Sequence, residues 1–162
     1  MTVIGARHFG SDVSTRPTSG AASASGSSVL TNGARGDHYD LRGYVDGFAD
    51  ALAAADLVLA RSGGSIFEVA AAGKPAILVP YPHAAGDHQA GNARWMADAG
   101  AAVILRDAEL TADRLSREVT ALLGSRERLA AMARASAALA RPDAARAIAN
   151  EVVAAGNGRQ ER

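Results

Sequence analysis

The residues of this chain best suited to chemistry lie between Ala55 and Asn92, in two loops: Arg61-Ser62-Gly63-Gly64-Ser65 with Glu68 just beyond, and Asp87-His88-Gln89 followed by Asn92. The first loop is a glycine turn running into a helical stretch. Backbone N–H groups at a helix start carry about half a unit of positive charge, which favours an anion such as phosphate, and glycines let the backbone come close to it. Glu68, one turn further on, is able to accept hydrogen bonds from both hydroxyls of a ribose, each charge-assisted bond contributing roughly 1.5 to 3 kcal/mol. The same residues fit a purely structural pattern. Ser65-Ile66-Phe67-Glu68 is an S-x-x-E capping box, in which the carboxylate would bond only the Ser65 backbone. Spacing alone leaves both readings standing.

In the second loop Gln89 and Asn92 are three residues apart, so a helix puts them on one face. Side-chain amides both donate and accept, which suits the hydroxyls of a sugar. The structural alternative has Asp87 capping the helix while the two amides are solvated. His83, His88 and Asp87 match no common metal-ligand spacing, and no metal or other cofactor is expected. The sequence also lacks a nucleophile-elbow serine, a pair of carboxylates with separate acid and base roles, and a G-x-x-x-x-G-K-S/T loop. Such loops predict binding more than catalysis.

Both loops need a frame. Leu57 to Ala60 is a short apolar run without helical period, and Glu68 to Ala72 has helix-forming composition that closes on Gly73. Ala76 to Val79 is a second apolar run, ending at Pro80-Tyr81-Pro82, and a helix follows from Asp87 to about Ala99. This alternation predicts an α/β fold, a parallel sheet with helices on its faces, and ligands in such sheets bind beyond the carboxyl ends of the strands. Around this pair of units the pattern predicts a short strand at Thr2 to Gly5, a half-buried strand at His38 to Val45 and a helix from about Gly47 to Ala55. Further along come a strand at Ala101 to Leu105, a helix capped at Thr111, a helix from about Ser125 to Leu139 and one from Pro142 to about Ala155. Residues 14–36 are mostly Ser, Ala, Gly and Thr and read as a flexible segment, and the last residues, 157–162, as a frayed tail. Trp95 and Met96 are expected in the core.

Composition narrows the partners. The 162 residues suit one domain, with 17 basic and 17 acidic side chains and 4% aromatics, so neither a basic face nor a stacking platform for nucleic acid is indicated. Without cysteine, disulfides, thiolate metal sites and cysteine nucleophiles are excluded. No run is long enough to span a bilayer, and the first residues lack signal-peptide character, which predicts a soluble or at most peripheral chain.

The segments AADLVLARSGGSIFEVAAAGKPAILVPYPH and DHQAGNARWMADAGAAVIL resemble the MurG family, which transfers N-acetylglucosamine from UDP-N-acetylglucosamine to lipid I in peptidoglycan synthesis. The likeness covers roughly two thirds of the chain and continues weakly to PDAARAIANEV. It implies the Rossmann-like C-terminal half of a GT-B glycosyltransferase, with residues 1–156 as the UDP-sugar binding domain. By this resemblance Glu68 binds the donor ribose, the turn Ser62, Gly63, Gly64 and Ser65 cradles the diphosphate, and Gln89 and Asn92 hold the N-acetylglucosamine hydroxyls with His88 beside them. Tyr44 and Val45 match positions that contact uracil, and Arg61 matches an arginine at the strand end. The family's N-terminal domain, with its G-x-G-G-H loop and acceptor site, has no counterpart here, and the stretch from Arg61 to Glu68 is one residue shorter than in many members. The resemblance therefore implies an incomplete enzyme, inactive alone and with its general base elsewhere, whose full form associates peripherally with the cytoplasmic face of the membrane and acts on a lipid-linked acceptor. Two other readings are compatible with the same residues: a non-catalytic UDP-sugar binding subunit of a membrane-bound partner, and another GT-B UDP-glycosyltransferase.

Overall fold

The structure, a computed structural model, describes Ile4–Gly5 and residues 45–157. The expected strand before Val45, the site residue Tyr44, the Ser/Ala/Gly-rich segment at 14–36 and the tail from 158 lie outside the described residues. The chain divides into two units, residues 1–8 with 47–162, and residues 9–46. Of the second unit only Val45 and Asp46 are described, and they are irregular.

The larger unit is built on a four-stranded sheet in the order β1 (Ile4–Gly5), β2 (Val58–Ala60), β3 (Ala76–Leu78) and β4 (Ala102–Ile104). The expected parallel sheet is β2 to β4, with Val58, Leu59 and Ala60 paired to Ala76, Ile77 and Leu78, and these in turn to Ala102, Val103 and Ile104. At its edge the two residues of β1 pair antiparallel with β2.

Alternation along the strands sends side chains to two cores. Val58, Ala60, Ala76, Leu78 and Ala102 face one side, packed with residues of α1 (Phe48–Ala54), α2 (Ile66–Ala71) and α3 (His88–Asp98). Leu57, Ile77, Val79 and Leu105 face the other, against Leu122 of α4 (Ala112–Leu123) and Met132 of α5 (Arg126–Ala138). Helices therefore cover both faces, as the α/β reading requires. Full burial of Leu or Ile contributes about 1.5 to 3 kcal/mol each, so Ile77, Leu105 and Leu122, all 0% exposed, anchor the second core. Met96 is buried as expected, whereas Trp95 is half-buried and stacks at a tilt on the exposed Phe67 ring, 5.2 Å away.

Local chemistry sets the helix ends. After α2, Gly73 takes φ 62 and donates its N–H to Ala70 while Lys74 donates to Val69, a Schellman closure that turns the chain into β3. Lys74 Nζ also donates to Ala53 O at 2.9 Å, which fastens this turn to the end of α1. Thr111 and Ser125 cap α4 and α5 by accepting the Arg114 and Arg128 N–H groups. The last helix, α6 (Ala144–Asn157), begins two residues later than expected because Pro142 and Asp143 form the preceding turn.

Candidate functional site

The two loops meet beyond the carboxyl ends of β2 and β3. Arg61 and Ser62 leave β2, Val79 to Tyr81 leave β3, and α3 returns alongside them. Ser62 is 0% exposed, and its hydroxyl donates to the Gln89 carbonyl at 2.7 Å. Asn92 Nδ2 donates to the Ser62 carbonyl at 2.9 Å, and Gln89 Oε1 accepts the Tyr81 N–H at 3.0 Å. Neither amide is simply solvated, which corrects the structural alternative for this helix. With those bonds made, Gln89 retains its NH₂ donors and Asn92 its carbonyl oxygen for an outside partner.

The other half of that alternative also fails. Asp87 takes a left-handed backbone, φ 54, and makes no side-chain capping bond to α3. His88 is exposed and its Nδ1–H donates to Ala85 O, 2.6 Å away, within its own loop. No group of three potential metal ligands occurs among the described residues.

The Ser65 side chain makes no capping bond to α2, so the reciprocal capping box is not formed. Glu68 is exposed and lines an open cleft of ≈ 400 Å³ whose walls are Phe48, Ala49 and Leu52 of α1 and Ala71 and Ala72 around the end of α2. A partly apolar cleft with one carboxylate at its edge was not legible in the sequence, because it depends on how α1 and α2 are spaced over the sheet.

In the turn, Ile66 and Phe67 donate back to the carbonyls of Gly63 and Gly64, both at 3.2 Å. Neither glycine has positive φ, and a Cβ on Gly64 would meet nothing within 4 Å. The glycines are therefore not required by the turn's own conformation. Their small size leaves the backbone accessible to a ligand from outside.

Arg61 is engaged on several sides. Its Nη1 lies 2.5 Å from Asp107 Oδ1 and donates to the carbonyls of Val79 and Pro80 at 3.4 and 3.3 Å, and its guanidinium carbon stands 5.6 Å from the Tyr81 ring centre. Asp107, which follows β4, carried no signal in the sequence. Val45 belongs to the smaller unit and is half-buried.

The family model for the glycosyltransferase family 28 C-terminal domain matches residues 20–148. The chain belongs to this family. Among relatives of the family 28 domain, the UDP-N-acetylglucosamine--N-acetylmuramyl-(pentapeptide) pyrophosphoryl-undecaprenol N-acetylglucosamine transferase of Moorella thermoacetica is 56% identical over 106 residues, covering 65% of this chain and 29% of the relative. The transferase of the same name from Nitratidesulfovibrio vulgaris is 47% identical over 111 residues, covering 68% of this chain and 30% of the relative. The crystal structure of Acinetobacter baumannii MurG superposes with a TM-score of 0.62 at 36% identity, over 66% of this chain and 31% of that one. The family 28 domain described here thus spans about three tenths of the length of the proteins it matches. No helix among the described residues is long and apolar enough to cross a membrane.

Proposed function

We propose that this chain is the donor-binding domain of a MurG-type N-acetylglucosaminyltransferase. The observation that carries the reading is Glu68, an exposed carboxylate outside any reciprocal capping box, at the edge of a cleft in a chain 56% identical over 106 residues to a transferase of that name. Glu68 accepts the ribose hydroxyls of UDP-N-acetylglucosamine. The turn Ser62 to Ser65 lies along the diphosphate, where the backbone amides take the place of a metal. The remaining donors of Gln89 and acceptor of Asn92 face the sugar hydroxyls, with His88 beside them.

In the complete reaction an acceptor hydroxyl displaces UDP at the anomeric carbon with inversion, and the leaving diphosphate is stabilised by backbone dipoles. The acceptor is lipid I, the general base belongs to the part of the relatives' length that this chain does not cover, and the full enzyme works peripherally on the cytoplasmic face of the membrane. Its product feeds peptidoglycan synthesis, and through it cell shape and division. The isolated chain binds donor and transfers little or none.

Calorimetric titration with UDP-N-acetylglucosamine and UDP-glucose, with Glu68→Ala alongside and circular dichroism on both proteins, tests the reading. Binding that prefers the acetylated sugar and disappears in the folded variant is expected. A folded wild type that binds neither nucleotide sugar overturns it.

A further inference from the structure

Ser62 and Ser136 are the buried polar side chains among the described residues, and of the two hydroxyls only that of Ser62 is hydrogen-bonded. The bond it makes is placed where local sequence gives little instruction. The chain enters α3 through Gly86 at φ 60 and Asp87 at φ 54, both left-handed, and no side chain caps the helix. A helix entered this way has no side-chain cap, and the short 3-10 turn that leads into it, Ala85–Asp87, is kinked at Gly86, so little local structure fixes its first residues. Tertiary bonds take over that role. Ser62 gives its hydroxyl to Gln89 and receives the Asn92 amide on its carbonyl, so one residue at the end of β2 holds both amide-bearing positions.

We propose that Ser62 is a positioning residue: its buried hydroxyl fixes the rotation of the first turn of α3, and so the direction in which Gln89 and Asn92 present their amides to the sugar of a nucleotide sugar. The inference rests on the donor-binding reading above. Ser62 is fully buried while Gln89 is half-buried, so solvent does not take the place of the hydroxyl without rearrangement when it is removed. The bonds from Asn92 and Tyr81 remain but do not by themselves hold the Gln89 backbone. Loss of the Ser62 hydroxyl therefore acts on the sugar half of the ligand more than on the nucleotide half.

The readout is the ratio of UDP-N-acetylglucosamine affinity to UDP affinity, measured by calorimetry on the 162-residue chain. A general loss of stability does not move this ratio. In Ser62→Ala it falls by about tenfold, the equivalent of one misplaced hydrogen bond, while Ser62→Thr, which keeps the hydroxyl, stays within about threefold of wild type. Ser136→Ala, at the other buried serine, leaves the ratio where it was. An unchanged ratio in folded Ser62→Ala, or an equal fall in Ser136→Ala, overturns the positioning role and leaves the donor-binding reading intact. Should Ser62→Ala fail to fold, Ser62→Cys, with its weaker donor, is measured instead, and an unchanged ratio again overturns the role. A folded wild type that binds neither UDP-N-acetylglucosamine nor UDP overturns both.

Discussion

The Arg61 guanidinium stands 2.5 Å from the Asp107 carboxylate, which joins the residue leaving β2 to the loop that follows β4, while the same Nη1 reaches the carbonyls of Val79 and Pro80 at the end of β3. One side chain thus ties together the carboxyl ends of all three parallel strands. Both partners of the ion pair are more than a third exposed, at 40% and 38%, so the Coulombic part is weak and the two carbonyl contacts of the same Nη1 add to it. Arg61→Lys keeps the charge but loses the planar guanidinium that reaches the two carbonyls and stands over Tyr81, and is expected to cost about 1 kcal/mol in urea unfolding. Asp107→Asn costs less, within about 0.5 kcal/mol. A larger loss in Asp107→Asn than in Arg61→Lys contradicts this ranking.

The glycines that flank α2 separate by conformation. Gly73 has φ 62 and a Cβ there would meet Ala137 Cβ at 3.4 Å, so Gly73→Ala is expected to lose about 1 to 2 kcal/mol. Gly64 has neither constraint. Gly64→Ala leaves stability within about 0.5 kcal/mol of wild type, and any loss it causes appears in nucleotide-sugar binding. Paired thermal melts and titrations separate the two effects.

Ser136 Oγ is buried and has no hydrogen-bond partner. An unsatisfied buried hydroxyl carries a desolvation cost that alanine removes, so Ser136→Ala is expected to stabilise the chain by about 1 kcal/mol. The urea midpoint should rise with an unchanged slope.

The carboxyl of Glu109 is held below the usual carboxylate range chiefly by its hydrogen bond with the Arg106 guanidinium. A depressed folded-state pKa adds stability that is present above the unfolded value and lost as pH falls through the folded one, so the contribution is constant at neutral pH and fades only in acid. Arg106→Ala returns Glu109 toward the ordinary range, which side-chain carboxyl shifts in an NMR pH titration report directly.

Much of the frame was written locally. Short apolar runs at Leu57 to Ala60 and Ala76 to Val79, Gly73 after a run of alanines, and Thr111 and Ser125 ahead of helical stretches act through neighbours in sequence, and strands and helices formed there. The loops that hold Glu68, Gln89 and Asn92 were legible for the same reason, since a strand end and a helix start fix where a loop must lie in a parallel sheet. What those side chains do was not. Ser65 with Glu68 has the spacing of a capping box and Asp87 the place of a cap, yet neither side chain caps its helix, because Ser65 has a right-handed helical backbone and Asp87 a left-handed one where a cap is usually extended.

Sequence by itself therefore determined the order of elements, the faces they bury and which loops share one edge of the sheet, all consequences of period and of nearest neighbours. Only the tertiary structure decided that Ser62 turns inward to α3, that Arg61 bridges to Asp107 and that α1 and α2 leave a cleft beside Glu68. Those outcomes depend on residues as far as 46 positions apart in the chain, whose meeting is set by the packing of whole elements and by no local pattern.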